Sequence, residues 1–275
     1  MRRLGLFIVG LYLLAASFSS ASELWFPVGE QLVHKIYWGF IPVGSSVTTS
    51  RIIENEGKKL IMLRVRTKTN NLFDKIRKVD DVVESFIEPV TFLPVSFRRR
   101  MIRNNSMCDE YSTFDYEKQE CHWENHCTGE KKTFPIKRDT RDILTFLYFF
   151  RRFELTEESE SEYQVMADNA VHAVKVRTGK GKGIKLPLYG EVQSVKIDPA
   201  FDFDGLLIDK GKFRLWVSDD DRKLLTKIII KQRLADIRIV LQTVAGPGED
   251  AWVSPSDLAK HKPVVMNDKQ VEQYL

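Results

Sequence analysis

Several things are scarce in this chain, and each scarcity closes off a class of function. Net charge is small: 42 Lys and Arg against 38 Asp and Glu leave a formal +4, or about +2 without Arg2 and Arg3. Nucleic-acid binding needs concentrated basic charge, so nucleic acid is not an expected partner. Beyond its first residues the chain has no segment with the length and apolarity of a membrane helix, so no integral span is expected once that segment is removed. It shows no fixed-period repeat and no nucleophile–base–acid order of the kind that marks a hydrolase. Cysteines number three, Cys108, Cys121 and Cys127, and the odd count leaves one thiol free or available to another chain. Cys108–Cys121 would staple a hairpin and Cys121–Cys127 would close a smaller loop. The sequence does not choose the pairing.

What is present begins with a secretory pattern. Arg2 and Arg3 precede the apolar run Leu4–Ala16, and small residues follow up to a cleavage site between Ala21 and Ser22. Thirteen apolar-region residues fall short of the roughly 20 that span a bilayer. The expected organisation is a signal peptide over 1–21, a single β-rich domain over 22–245 and a polar C-terminal tail over 246–275. The expected location is the periplasm or another extracytoplasmic part of a bacterial envelope, where disulfides persist.

From Gly29 onward the chain reads as strands. Leu32, His34, Ile36 and Trp38 share one parity, a corner follows at Gly39–Gly44, and Asn55-Glu56-Gly57 makes a turn before Lys59–Lys68. Asn70–Lys78 reads as a short helix or a wide connection. Further strands are expected at Asp80–Ile87, Val95–Met101, Glu110–Phe114, Cys121–Asn125 and Lys132–Ile136. Asp139–Phe153 is the main helix, capped by Asp139 or Thr140, with Ile143, Leu144, Leu147 and Phe150 on its apolar face. Hairpins resume after Glu154–Glu162, with Gly179–Gly183 as a basic turn and Asp198–Lys210 as a connection. Phe213–Arg233 is a strand pair joined by Asp219-Asp220-Asp221, and Ile237–Val244 is the last strand. The fold class is all-β dominated: a curved antiparallel sheet or open barrel with one covering helix.

Candidate chemistry is thin. Cys121, His122, His126 and Cys127 are zinc-ligand types, yet strand alternation puts 121 and 127 on one face and 122 and 126 on the other. The three aspartates lack the alternating oxygens and distal glutamate of a calcium loop, and read as a solvated turn. Gly179-x-Gly-x-Gly183 lacks the full phosphate-loop pattern. Arg98, Arg99, Arg100 and Arg103 form the strongest basic patch, which alternation splits between two faces. Tyr37, Trp38, Phe40 and Trp216 are core or rim aromatics. No catalytic, cofactor-binding or metal residues are assigned, and no cofactor is expected.

Gly29–Ser46, Asp80–Phe97, Asp142–Arg151 and Trp216–Lys231, in this order and spacing, resemble the bacterial Domain of Unknown Function 3108 family over most of residues 29–244. The resemblance implies an exported β-rich protein without an established catalytic signature, and it carries over no functional residues. Trp216, Ser218, Asp219, Asp220 and Arg222 fall on the shared motif and are given a structural role. The leading functional expectation is an exported envelope protein that binds or carries a lipid or other amphipathic small molecule, inside a concave apolar site. The alternatives are a non-enzymatic envelope structural or assembly protein, with another envelope protein as partner, and a hydrolase acting on envelope polymers.

Overall fold

A computed structural model describes residues 27–103, 106–155, 158–167, 169–200, 213–258 and 260–275. The signal segment 1–21, the 201–210 part of the expected connection and the Arg103 and Phe213 side chains lie outside this set. In chain order come β1 (Gln31–Trp38), β2 (Ile41–Asn55), β3 (Lys58–Thr69), α1 (Asp74–Arg77), β4 (Val79–Ile87), β5 (Pro94–Arg103), β6 (Ser106–Asp115), β7 (Glu120–Asn125) and β8 (Lys131–Pro135). There follow β9 (Arg141–Asp142), α2 (Ile143–Phe149) with a 3-10 turn at Phe150–Arg152, β10 (Glu160–Ala167), β11 (Ala170–Leu186), β12 (Gly190–Ala200), β13 (Phe213–Ser218), β14 (Leu225–Ile230), β15 (Ile237–Ala245) and α3 (Asp268–Tyr274).

Among the described residues the strands form one sheet, ordered β8 back to β1, then β15 back to β9. All pairings are antiparallel except β9 with β10. Adjacent strands pair in sequence order because tight turns join them. Glu56 and Gly57 both have positive φ, 50° and 75°, as the turn of a right-twisted hairpin requires. At Gly44 a close approach decides the residue: a Cβ there would lie 2.3 Å from the Lys68 carbonyl oxygen.

The sheet is open, as expected, and its two edges, β8 and β9, both come from the middle of the chain. It curls until its halves face each other. Val83, Phe97 and Phe114 from one half share a core with Val195, Ile197, Leu215, Val217, Ile228 and Ile230 from the other. α2 packs between them. Phe146 and Phe150 meet each other and Tyr163 edge-on, with ring centroids 4.7 to 5.5 Å apart. Truncating fully buried Phe146 to Ala would cost about 3–5 kcal/mol.

Two expected elements differ. The helix starts at Ile143, not near Asp139, because Asp142 is its cap: one carboxylate oxygen accepts from the Leu144 and Thr145 amides at 2.8 and 2.9 Å. Arg141–Asp142 thereby pairs with β10, and the α-helical part shortens to seven residues. Gly179–Gly183 is not a turn. It lies inside the 17-residue β11, with a register shift between Gly179 and Lys182, and the turn comes instead after Leu186. Glycine and lysine alternation fits an exposed strand as well as a loop, so composition misplaced this turn.

The tail docks on the domain. Asn267 and Gln270 form a capping box for α3, and Val271 buries itself against Val33 and Val47. Glu272 receives Arg66 at 2.7 and 2.9 Å, and the Gln31 side chain exchanges two 2.9 Å hydrogen bonds with the Met266 backbone. Among the described residues no helix is long and apolar enough to cross a membrane.

Candidate functional site

The interior holds polar groups, most of them hydrogen-bonded, although the indole N–H groups of Trp123 and Trp216 are buried without an acceptor. Asp142 is fully buried. Its second oxygen accepts from Ser85 Oγ at 2.6 Å and Thr145 Oγ1 at 2.7 Å. Burial raises its carboxyl above the usual range, against these hydrogen bonds and the two amide bonds, which pull it down. Every bond it makes serves the start of α2 or ties α2 to β4. Ion pairs continue this theme: Arg151 grips Glu30 through two bonds of 2.7 and 2.9 Å, with both side chains almost fully buried.

The cysteine–histidine cluster does not converge. Cys108 bonds Cys127, a pairing that joins β6 to the loop after β7, while Cys121 is free and buried. His122 meets Thr133 and Glu120, and His126 meets Glu124, on the exposed side. Among the described residues no group of three His, Cys, Asp or Glu is placed to hold a metal ion. The arginine patch is neutralised by β6. Arg98 and Arg100 share Asp109, and buried Arg99 pairs with Glu110 at 2.8 Å.

The triple-aspartate turn is more built than a solvated turn. Asp220 accepts from Ser218 Oγ at 2.7 Å, from Arg222 Nη2 at 2.7 Å and from Trp252 Nε1 at 2.9 Å. Burial pushes its carboxyl up, but these bonds and the Arg222 charge together hold it below the usual range. Arg222 stacks on Trp252 at 4.2 Å and reaches the Gly248 carbonyl, so the turn anchors the tail. A shallow cleft of about 220 Å³ lies beside it, lined by Tyr189, Gln193, Asp219 and Trp252 among others. Both carboxylate oxygens of Asp220 already have partners, which marks a structural role.

One end of the sheet breaks the rule of buried apolar groups. Three consecutive connections in space, β1–β2, β3–β4 and β14–β15, expose Phe40 (89%), Leu72 (71%), Ile76 (72%) and Leu234 (83%), with half-exposed Ile41 between them. They are held together. Asn70 donates its backbone N–H to Val43 O at 2.9 Å and its side-chain N–H to Pro42 O at 2.7 Å, fixing the α1 connection against the β2 entrance. Phe73 meets Trp38 edge-on at 6.1 Å. On the other side Gly39 donates to the Asp236 carbonyl at 2.9 Å, and Arg238 donates twice to Gly39 O at 2.6 and 3.0 Å. Its guanidinium lies 5.2 Å from the Phe40 ring and 5.6 Å from Tyr37. Lys75, Arg77 and Arg233 stand on the same connections. This apolar tip on a rigid scaffold can enter an apolar phase without rearranging the core.

Sequence reading took Phe40 as a core or rim aromatic and Asn70–Lys78 as a short helix or a wide connection, and α1 forms within it. The available signal was a run of large apolar residues, Phe40-Ile41 and Leu72-Phe73, at positions read as turns, where solvated residues normally sit.

No curated protein matches the sequence. Among solved structures the chain is similar to a beta-barrel-like protein of domain of unknown function DUF1849 from Brucella abortus. The two are 11% identical with a TM-score of 0.56, over 80% of this chain and 98% of that one. This likeness concerns the fold alone. The sequence also matches the family described as "Protein of unknown function (DUF3108)" over residues 33–242, which is most of the sheet from β1 to β15, and the chain belongs to that family.

Proposed function

We propose that this is an exported, non-enzymatic protein of the bacterial envelope that binds a lipid or another amphipathic component, and that it does so with its tip. The observation that carries this reading is the cluster of Phe40, Leu72, Ile76 and Leu234, left in water by three braced connections. Each such side chain gains about 1.5–3 kcal/mol on full burial, so a fold that leaves four of them exposed at one end favours contact with an apolar phase there. The secretory pattern at the N-terminus supports the envelope as the setting. The concave side of the sheet is occupied by α2 and its aromatic neighbours, so the reading moves the ligand from the inside of the sheet to its end.

The test is lipid extraction and mass spectrometry of the gently purified protein, beside a Phe40→Ser/Leu72→Ser variant. Enrichment of an amphipathic species on the wild type and its loss on the variant is the expected result. Equal amounts on both, or none on either together with no binding to lipid vesicles, would refute it. Specific capture of one envelope protein through the tip would then favour the assembly role.

A further inference from the structure

An apolar tip can be covered by a single lipid, by another protein or by an assembled bilayer, and each sets its own demand on the surface. Phe40, Leu72, Ile76 and Leu234 are each 71–89% exposed. Side chains that bare project singly from their three connections instead of lying side by side in a flat patch. A protein would have to receive each in a pocket of its own. Together they offer on the order of 600 Å² of surface, short of the roughly 800 Å² per partner in a stable protein interface. A single lipid needs an enclosure for its chains, of a few hundred Å³. The two best-formed clefts among the described residues lie elsewhere, beside Asp219 and beside Phe134. A fluid acyl layer asks for neither pocket nor cavity, since it closes around whatever enters it.

The backbone of the tip suits such a layer, where an unpaired N–H or C=O finds no water and is costly. The N–H groups of Gly39, Asn70, Phe73, Asp74, Ile76 and Arg77 all donate within the tip at 2.8–2.9 Å. Their acceptors are Asp236 O, Val43 O, Asn70 Oδ1, Asn70 O and, for the last two, Phe73 O. Pro42 O and Gly39 O accept from the Asn70 and Arg238 side chains. Of the two acids on these connections, Asp74 accepts from the Thr69 hydroxyl and Asp236 from Lys231. Lys75, Arg77 and Arg233 carry their charges on long stems, which lie along apolar surface while the head stays in water.

These charges also limit the depth. An interfacial apolar face enters about 5–10 Å into the headgroup–acyl boundary. Trp38 and Tyr37, both half-buried, stand two and three residues before Phe40, roughly 7–10 Å back at about 3.3 Å per residue. With the four tip residues in that boundary, the two rings fall at the headgroup level, where Trp and Tyr are enriched in membrane proteins. We propose that the tip is a shallow anchor that seats in the headgroup–acyl boundary of an assembled bilayer, held by its apolar side chains, with Trp38 and Tyr37 at the headgroups. An uncharged phospholipid surface suffices for it. This rests on the tip reading above and fixes the form in which the lipid is met.

Flotation with pure phosphatidylcholine vesicles, and titration with a short-chain phosphatidylcholine kept below its micelle concentration, separate the two forms of lipid. The full mature chain should float with the vesicles and bind dispersed lipid far more weakly. Phe40→Ser/Leu72→Ser should bind vesicles about 100-fold more weakly, since each buried apolar side chain is worth about tenfold or more. Bromines near the headgroup end of the acyl chains should quench the wild-type emission more than bromines near the methyl end, and Trp38→Phe should lose that difference. Dispersed lipid bound at the tip as tightly as vesicles overturns the bilayer proposal and leaves the tip reading standing. Flotation with anionic vesicles alone gives the anchoring to charge and overturns the proposal too. A folded Phe40→Ser/Leu72→Ser chain that floats like wild type, or a wild type that binds neither form of lipid, refutes the tip reading itself. Should that variant fail to fold, Ile76→Ser and Leu234→Ser, on two different connections, should each weaken flotation about tenfold, and no weakening in either counts against the proposal.

Discussion

Breaking the Arg151–Glu30 pair should be among the most damaging polar changes in this fold. Arg151 follows α2, in the 3-10 turn. Its two terminal nitrogens donate to Glu30 at 2.7 and 2.9 Å, its Nε donates to the Arg222 carbonyl at 2.7 Å, and its guanidinium lies 5.3 Å from the Tyr148 ring. Side-chain exposure is 7% for Arg151 and 1% for Glu30. One cation thus ties the helix to the residue before β1 and to the aspartate turn. Glu30→Ala leaves that cation buried without its carboxylate, which costs about 3–5 kcal/mol. For a domain of this size, each kcal/mol moves the melting temperature by about 2–4 °C, so the variant should melt roughly 6–20 °C lower. Replacing both partners, Glu30→Leu with Arg151→Met, removes the stranded charge and should recover most of the loss. Thermal and urea unfolding of wild type, both single variants and the double variant measure the cycle. A Glu30→Ala loss below about 1 kcal/mol, or a double variant as unstable as the summed singles, would refute the reasoning.

Three further predictions concern the core and the cysteines. His34 is buried and hydrogen-bonded through Nε2 to the Leu225 carbonyl at 2.9 Å, and burial lowers its pKa from 6.5 to about 4 despite that bond. The unfolded chain therefore binds the proton first. His34's contribution is complete above pH 6.5 and is lost as pH falls from there through about 4, a change of about 3 kcal/mol at ~1.4 kcal/mol per unit. Unfolding curves at pH 7 and pH 4 should show that loss in wild type and not in His34→Gln. Burial pushes the Cys121 thiol up to about 12, with the Asp142 charge adding to it. An alkylating reagent should therefore modify no thiol of the native oxidised protein and one after denaturation. Removing the Cys108–Cys127 bond, which spans 19 residues, should cost about 3 kcal/mol by urea unfolding.

Much of the sheet was legible because its signals are local. Alternation along β4 and the Asn55–Gly57 turn both act over a few residues, and the structure follows them. The start of α2 was less legible, since Asp139, Thr140 and Asp142 are all competent caps. The choice went to the one whose carboxylate could also bond Ser85, 57 residues away. The cysteine pairing depended on the β6–β7 register, which brings the His126 amide to the Asp109 carbonyl and Cys127 back beside Cys108. Spacing alone does not contain that register. Asp220 read as solvated because its partner Trp252 lies beyond the last strand, in a tail taken for surface chain. The tip was hidden for the opposite reason. Phe40 and Leu72 carry the composition of core residues, and only the three-dimensional meeting of separate connections shows that they stand exposed, with nothing among the described residues covering them.

The central claim is that the tip enters an apolar phase, and a spin label at Phe40 tests it most directly. Phe40→Cys offers an exposed thiol, while Cys121 stays buried and the other two cysteines are bonded. On lipid vesicles the label should become more accessible to dissolved oxygen and less accessible to a water-soluble paramagnetic reagent, as befits a position below the headgroups. A label that stays fully accessible to the aqueous reagent while the protein is vesicle-bound would contradict the claim.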